Sequence, residues 1–183
     1  ANQEEYIPKL PKEAKRAGPT YVMMDGSMVY TRENQWMEMK LGRIFHESKN
    51  VKVSPKRKEI TDSIYVSHLG SINEFFPKLE RHISSYKDKV FIGDGAKWIW
   101  NWVENNYPGS VQIVDYFHAK EKLELFARLH FQCPDQKAQW MKEQQDQLLN
   151  DQVNQIIERV KYIQTKNTES KVAKEGIINY FTE

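Results

Sequence analysis

Along residues 21–131 the spacing of apolar residues changes in a fixed order, and that order limits the fold more than any other feature of the chain. Residues 21–31, YVMMDGSMVYT, are apolar with strand character, and residues 32–35 supply a polar turn. In WMEMKLGRIF, residues 36–45, Met37, Met39, Leu41 and Phe45 alternate with Glu38, Lys40 and Gly42. That period of two predicts a half-buried antiparallel strand with its apolar side on the core. A third strand is predicted over about 60–69, after a basic loop containing Pro55. The period then lengthens: Ile72, Phe75, Phe76, Leu79 and Ile83 fall on one helical face. Ser71 with Glu74 forms a candidate capping box; alternatively Asn73 is the cap and Pro77 lies in the first turn. VFIGD, residues 90–94, is the continuous apolar run of a central parallel strand. AKWIWNWVENN then puts Trp98, Ile99, Trp102 and Val103 on one side of a helix ended by Tyr107, Pro108 and Gly109. Residues 111–114 repeat the buried-strand pattern, and a helix over about 118–131 buries Ala119, Leu123, Phe126 and Ala127.

Three strands on short links followed by helix, strand, helix, strand, helix predict an α/β fold. With right-handed crossovers, the first strand of the antiparallel meander lies beside the strand carrying Asp94. The result is a mixed five-stranded sheet with flanking helices, the RNase H-like topology. Residues 1–19, broken by Pro8, Pro11 and Gly18, read as a basic arm or linker before a core over 20–132. Residues 133–183 read as an α-helical insertion hairpin. There Leu149, Val153, Ile156, Val160 and Ile163 recur at spacings of four and three. This stripe requires a helical partner, and a second helix over about 169–181 is preferred to a coiled-coil dimer.

A chain of 183 residues with 39% hydrophobic content has enough apolar surface for one core and little room for two. No apolar run reaches bilayer length, which predicts a protein without membrane association. The single cysteine, Cys133, excludes an intrachain disulfide, fits a reducing compartment and reads as buried. A net charge of +2 does not announce nucleic acid, but the positive charge is clustered. Lys9, Lys12, Lys15 and Arg16 form one group; Lys49, Lys52, Lys56, Arg57 and Lys58 form another. Both are candidate phosphate contacts, because clustered cations displace the counterions condensed on DNA. A solvated linker and loop would have the same composition.

Asp25 interrupts an apolar strand, where aspartate is disfavoured by β-propensity and desolvation. Asp25-Gly26 also fits a simple hairpin turn. Asp94 ends a buried strand before a helix, where open α/β sheets collect ligand-binding groups, or where a carboxylate merely caps the helix. The predicted topology sets the two acids side by side. Adjacent carboxylates repel unless neutralised, and Mg²⁺, or Mn²⁺, is the expected neutraliser. Two such ions about 4 Å apart serve phosphodiester chemistry without a nucleophilic side chain. The chain carries no Gly-rich phosphate loop, zinc-type His/Cys spacing or nucleophile elbow.

YVMMDGSMVYTR, WMEMKLGRIFHE and FIGDGAKWIWNWVENNYPGSVQIVDYFHAKEKL together resemble the catalytic core of bacterial insertion-sequence DDE transposases, close to the Mutator-like groups. The resemblance covers about 21–123. It implies that Asp25 and Asp94 are the first two catalytic, metal-holding acids. It also implies that Asp115 and His118 match a D-x-x-H element supporting the site; both residues fit equally well as caps of the helix that follows. The implied partners are transposon-end and target DNA, with homo-oligomers in the transposition complex and a cytoplasmic, nucleoid-associated location. Of the three nearby tryptophans, Trp98 and Trp102 read as core and only Trp100 as a candidate for base contact. The family's third acid follows a Gly-Ser-Gly type motif, and the surroundings of Glu169, Glu175 and Glu183 do not match it. That acid is expected beyond Glu183, leaving this stretch catalytically incomplete. Two competing readings are an RNase H-like nuclease or resolvase that only hydrolyses, and a non-enzymatic transposon-derived DNA-binding or assembly module.

Overall fold

The strand-rich first half of the chain forms the expected meander. In the computed structural model, which describes residues 17–55 and 57–182, β1 (Thr20–Thr31) and β2 (Gln35–His46) pair antiparallel from Thr20 opposite His46 to Thr31 opposite Gln35. A short ribbon follows, built of β3 (Asn50–Ser54) and β4 (Arg57–Ile60). β5 (Ile64–Leu69) then pairs with β2, and β6 (Lys89–Gly93) runs parallel to β1. With β7 (Val111–Val114) the order in the mixed five-stranded sheet is β5-β2-β1-β6-β7. Six helices accompany it: α1 (Ile72–Ile83), α2 (Lys97–Asn106), α3 (Tyr116–His130), α4 (Pro134–Leu149), α5 (Val153–Tyr162) and α6 (Thr168–Thr182).

Backbone contacts divide the chain into two units. The first holds the described residues up to Gly93 together with Asn101–Ile113; the second holds Asp94–Trp100 and the chain from Val114 onward. In the first unit α1 starts at Ser71, whose side chain accepts the Asn73 N–H at 3.1 Å, so the alternative cap at Asn73 is not used and Pro77 lies inside the helix. The box is half formed, because Glu74 instead meets His68 at 2.7 Å. Phe75, Phe76, Leu79 and Ile83 are buried, with α1 packed on β2 and β5. Phe76 stacks on Trp102 at 4.3 Å, and Phe91 meets Trp102 edge-on at 6.0 Å.

Three expectations for this unit are corrected. Along the middle of β2 the buried side is the opposite one: Lys40, Gly42 and Ile44 point inward and Met39 and Leu41 are 39% and 41% exposed, while the expected Phe45 is buried at the end of the strand. Gly42 makes this possible, since a Cβ there would lie 2.8 Å from Leu79 Cδ1 and hold α1 off the sheet. Buried Lys40 is compensated by Glu38 Oε2 at 2.9 Å and the Gly70 carbonyl at 2.6 Å. The basic stretch is not a loop but the β3–β4 ribbon, and the third strand of the meander is confined to Ile64–Leu69. Finally, β7 is exposed along its whole length because it is an edge strand, which a short apolar run alone does not distinguish from a central one.

The second unit is helical. Leu123, Phe126 and Ala127 of α3 share a core with Met141 of α4, Ile156 and Val160 of α5, and Ile177 of α6. Removing a side chain such as Leu123 from a core of this kind costs about 2–5 kcal/mol. α3 buries the expected Ala119, Leu123, Phe126 and Ala127, and α5 packs on α6 as the stripe requires. Leu149, at the end of α4, is 70% exposed and contributes nothing to that stripe. The expected boundary after residue 132 falls between α3 and α4, which pack together in this unit. Cys133 is exposed rather than buried, because it precedes the first turn of α4. Backbone N–H groups of Gln136 and Asp135 pull its thiol pKa down.

Candidate functional site

Asp25 lies in the middle of unbroken β1, opposite Leu41, so Asp25-Gly26 is not a hairpin turn. The glycine makes room for the Glu38 side chain, and its N–H donates to Asp25 Oδ1 at 2.8 Å. Asp25 is exposed, so the desolvation argument that singled it out does not apply. What distinguishes it is register. The parallel β1–β6 pairing ends with Met24 opposite Gly93, and one residue further along each strand stands an aspartate.

Asp94 begins the turn between β6 and α2. Its Oδ1 accepts the Ala96 N–H at 3.0 Å, and its carbonyl accepts the Trp100 indole N–H at 2.7 Å. The capping function is therefore real, but it occupies one carboxylate oxygen; Oδ2 has no hydrogen bond among the described residues. Trp100 anchors this turn through its indole N–H and is half-buried. Trp102 is in the first unit's aromatic core, as expected, and Trp98 is half-buried.

Asp115 is the N-cap of α3: its Oδ1 accepts from Phe117 N–H at 2.7 Å and His118 N–H at 3.4 Å. Its Oδ2 stands 3.7 Å from His118 Nδ1, too far for a hydrogen bond, and that buried nitrogen has no other partner. His118 and Asp94, both in the second unit, offer ligand atoms within 4.8 Å of one another. His118 is thus a ligand candidate beside Asp94, while Asp115 caps the helix that carries it and makes no hydrogen bond to its ring.

Reasoning from sequence missed Tyr180 of α6. A Cβ at Gly95 would lie 2.6 Å from Cε2 and 2.7 Å from Cδ2 of the Tyr180 ring, so the ring lies flush on the backbone next to Asp94. Its buried hydroxyl faces the Gly95 N–H without completing a hydrogen bond. Burial, then the negative charges of Asp94 and Asp115, push the phenol pKa up to about 12. Only the glycine following Asp94 hinted at such a close approach.

The basic residues fare differently. Lys9, Lys12, Lys15, Arg16 and Lys56 lie outside the described residues, as does Glu183. Arg57 pairs with Glu59 at 2.5 Å, and Lys49 pairs with Asp62 at 3.2 Å. Lys52 and Lys58 are exposed and directly opposite one another across β3 and β4, and among the described residues neither has an ion-pair partner. No described helix is long and apolar enough to cross a membrane. Comparison with family models, curated proteins and solved structures returns no match for this chain.

Proposed function

We propose that this chain is the catalytic core of a DDE-type transposase with an RNase H-like fold, cutting and joining DNA strands with divalent metal ions. The observation that supports the reading is that Asp25 and Asp94 each directly follow Met24 and Gly93, the last residues paired in the parallel β1–β6 register. The donor set fits the cation. The unused Asp94 Oδ2 and a second carboxylate suit hard Mg²⁺ or Mn²⁺, and the orphaned His118 Nδ1 marks an imidazole held for a ligand, although imidazole is the softer match.

Asp25, Asp94 and His118 would hold the ions, and Asp115 caps the helix that presents His118. Bound ions at such a site polarise the scissile phosphodiester and stabilise the oxygen that leaves. The protein's own contribution is position: the Ala96 N–H holds the Asp94 carboxylate and the Trp100 indole holds its main-chain carbonyl. The exposed Lys52 and Lys58, together with Arg57 and Lys56, supply contacts to DNA phosphates, as do the basic residues of the N-terminal arm. The ordinary partners are transposon ends and target DNA, bound by more than one copy of the protein.

The test uses the full-length transposase on a DNA duplex carrying the element's ends. Asp94→Asn and Asp25→Asn each abolish cleavage and strand transfer while retaining DNA affinity. Joined products identify transfer; nicked ends alone identify a hydrolase. Undiminished joining by Asp94→Asn refutes the assignment.

A further inference from the structure

We propose that Tyr180 is a positioning residue for the Asp94 carboxylate, acting through its ring against Gly95. This rests on the metal-binding reading of Asp94 and extends it to a residue on the last described helix. The turn after β6 is held from three directions. Ala96 N–H binds Oδ1, the Trp100 indole binds the carbonyl, and the Tyr180 ring closes the side where Gly95 lacks a Cβ. The ring is itself fixed: Phe181 meets it edge-on at 5.2 Å, and Lys122 Nζ stands 5.9 Å from its centroid. A surface cap needs one hydrogen bond. Three independent restraints on one turn are what a ligand group requires when its position must hold to a fraction of an ångström.

Chemistry separates ring from hydroxyl. The buried hydroxyl completes no hydrogen bond among the described residues, and a phenol is uncharged at neutral pH. It therefore contributes no charge to an ion at Asp94, and the ring carries the function. Tyr180→Phe keeps the contact, Tyr180→Leu removes it, and Gly95→Ala drives a methyl into it.

The experiment measures Mn²⁺ binding by calorimetry and follows the Trp100 indole N–H by NMR hydrogen exchange, in the full chain at a temperature where each variant is folded. Loss of a residue that orients a metal ligand weakens affinity about 10–100-fold. We expect that loss for Tyr180→Leu and Gly95→Ala, and near-normal affinity for Tyr180→Phe. The indole N–H, protected through its bond to the Asp94 carbonyl, should exchange faster in the first two variants and normally in the third. If Tyr180 only fills space, Tyr180→Leu lowers the melting temperature but leaves Mn²⁺ affinity and indole protection unchanged, which overturns the proposal. If the parent protein binds Mn²⁺ no better than Asp94→Asn, the metal reading fails. The indole exchange still decides whether Tyr180 holds the turn.

Discussion

Two strand pairings in this molecule carry like charges at or just beyond them, and they differ in how firmly those charges are held. Asp25 and Asp94 each follow the last residues of the β1–β6 pairing, and Asp94 is restrained by Ala96, Trp100 and the ring over Gly95. On the β3–β4 ribbon Lys52 and Lys58 stand directly opposite one another, exposed, on a two-stranded element with no buried residue. Like charges across a ladder destabilise it, and an isolated two-stranded ribbon is marginal in water. On the proposed reading each set of like charges is matched by a counter-ion from outside. The rigid acidic pair suits a small cation that must sit at one point, whereas the loosely held basic pair suits a phosphate backbone, where contacts need only be near.

The sharpest way to break this comparison is to remove one acid. If the proposed function holds, Asp94→Asn in the full-length protein should reduce strand transfer by about a hundred- to a thousandfold, as expected when a charge-stabilising group acting in the transition state is lost. The amide oxygen still accepts from Ala96, so the turn survives. The same variant separates chemistry from repulsion. In metal-free buffer at low salt it should melt at or slightly above the parent temperature. Millimolar Mn²⁺ should then raise the melting temperature of the parent and leave the variant unchanged. A metal-free variant that melts well below the parent would show Asp94 to be a structural cap first.

Replacing the lysines is expected to act on affinity alone. The slope of log K against log salt for duplex DNA falls by about 0.9 for each phosphate contact removed, so Lys52→Ala with Lys58→Ala should flatten it by roughly two. Mn²⁺ affinity should not change. An unaltered slope would leave the ribbon without a nucleic-acid role and the basic contacts would have to lie elsewhere.

The order of elements and the neighbourhood of β1 and β6 were legible because they follow from period and crossover hand, both local or general. The inward side of β2 was not. Alternation identifies two sides, but α1, brought close by Gly42, decides which is covered, and Lys40 is buried only because Glu38 and the Gly70 carbonyl receive it. The β3–β4 ribbon was concealed by its charges and by Pro55, which weaken a strand signal without preventing a hairpin. Tyr180 was out of reach, since its contact with Gly95 joins residues far apart in the chain and depends on how α6 packs against α3.

The smallest effect tests the cost assigned to the basic pair. Lys52→Glu replaces the Lys52–Lys58 repulsion by an opposite-charge cross-strand pair, worth about 0.2–1 kcal/mol. Because the ribbon is exposed, it can open without unfolding the sheet, so the gain should appear in local opening and not in the global melt. Amide hydrogen exchange over β3 and β4 should slow by up to about fivefold at low salt, the factor that 1 kcal/mol represents. The difference should shrink as salt screens the pair. DNA affinity should fall in the same protein, because the substitution that relieves the ribbon also removes its reason to bind phosphate. Slower exchange with undiminished DNA binding would uncouple the two, and the lysine pair would then be a cost the fold bears without using it.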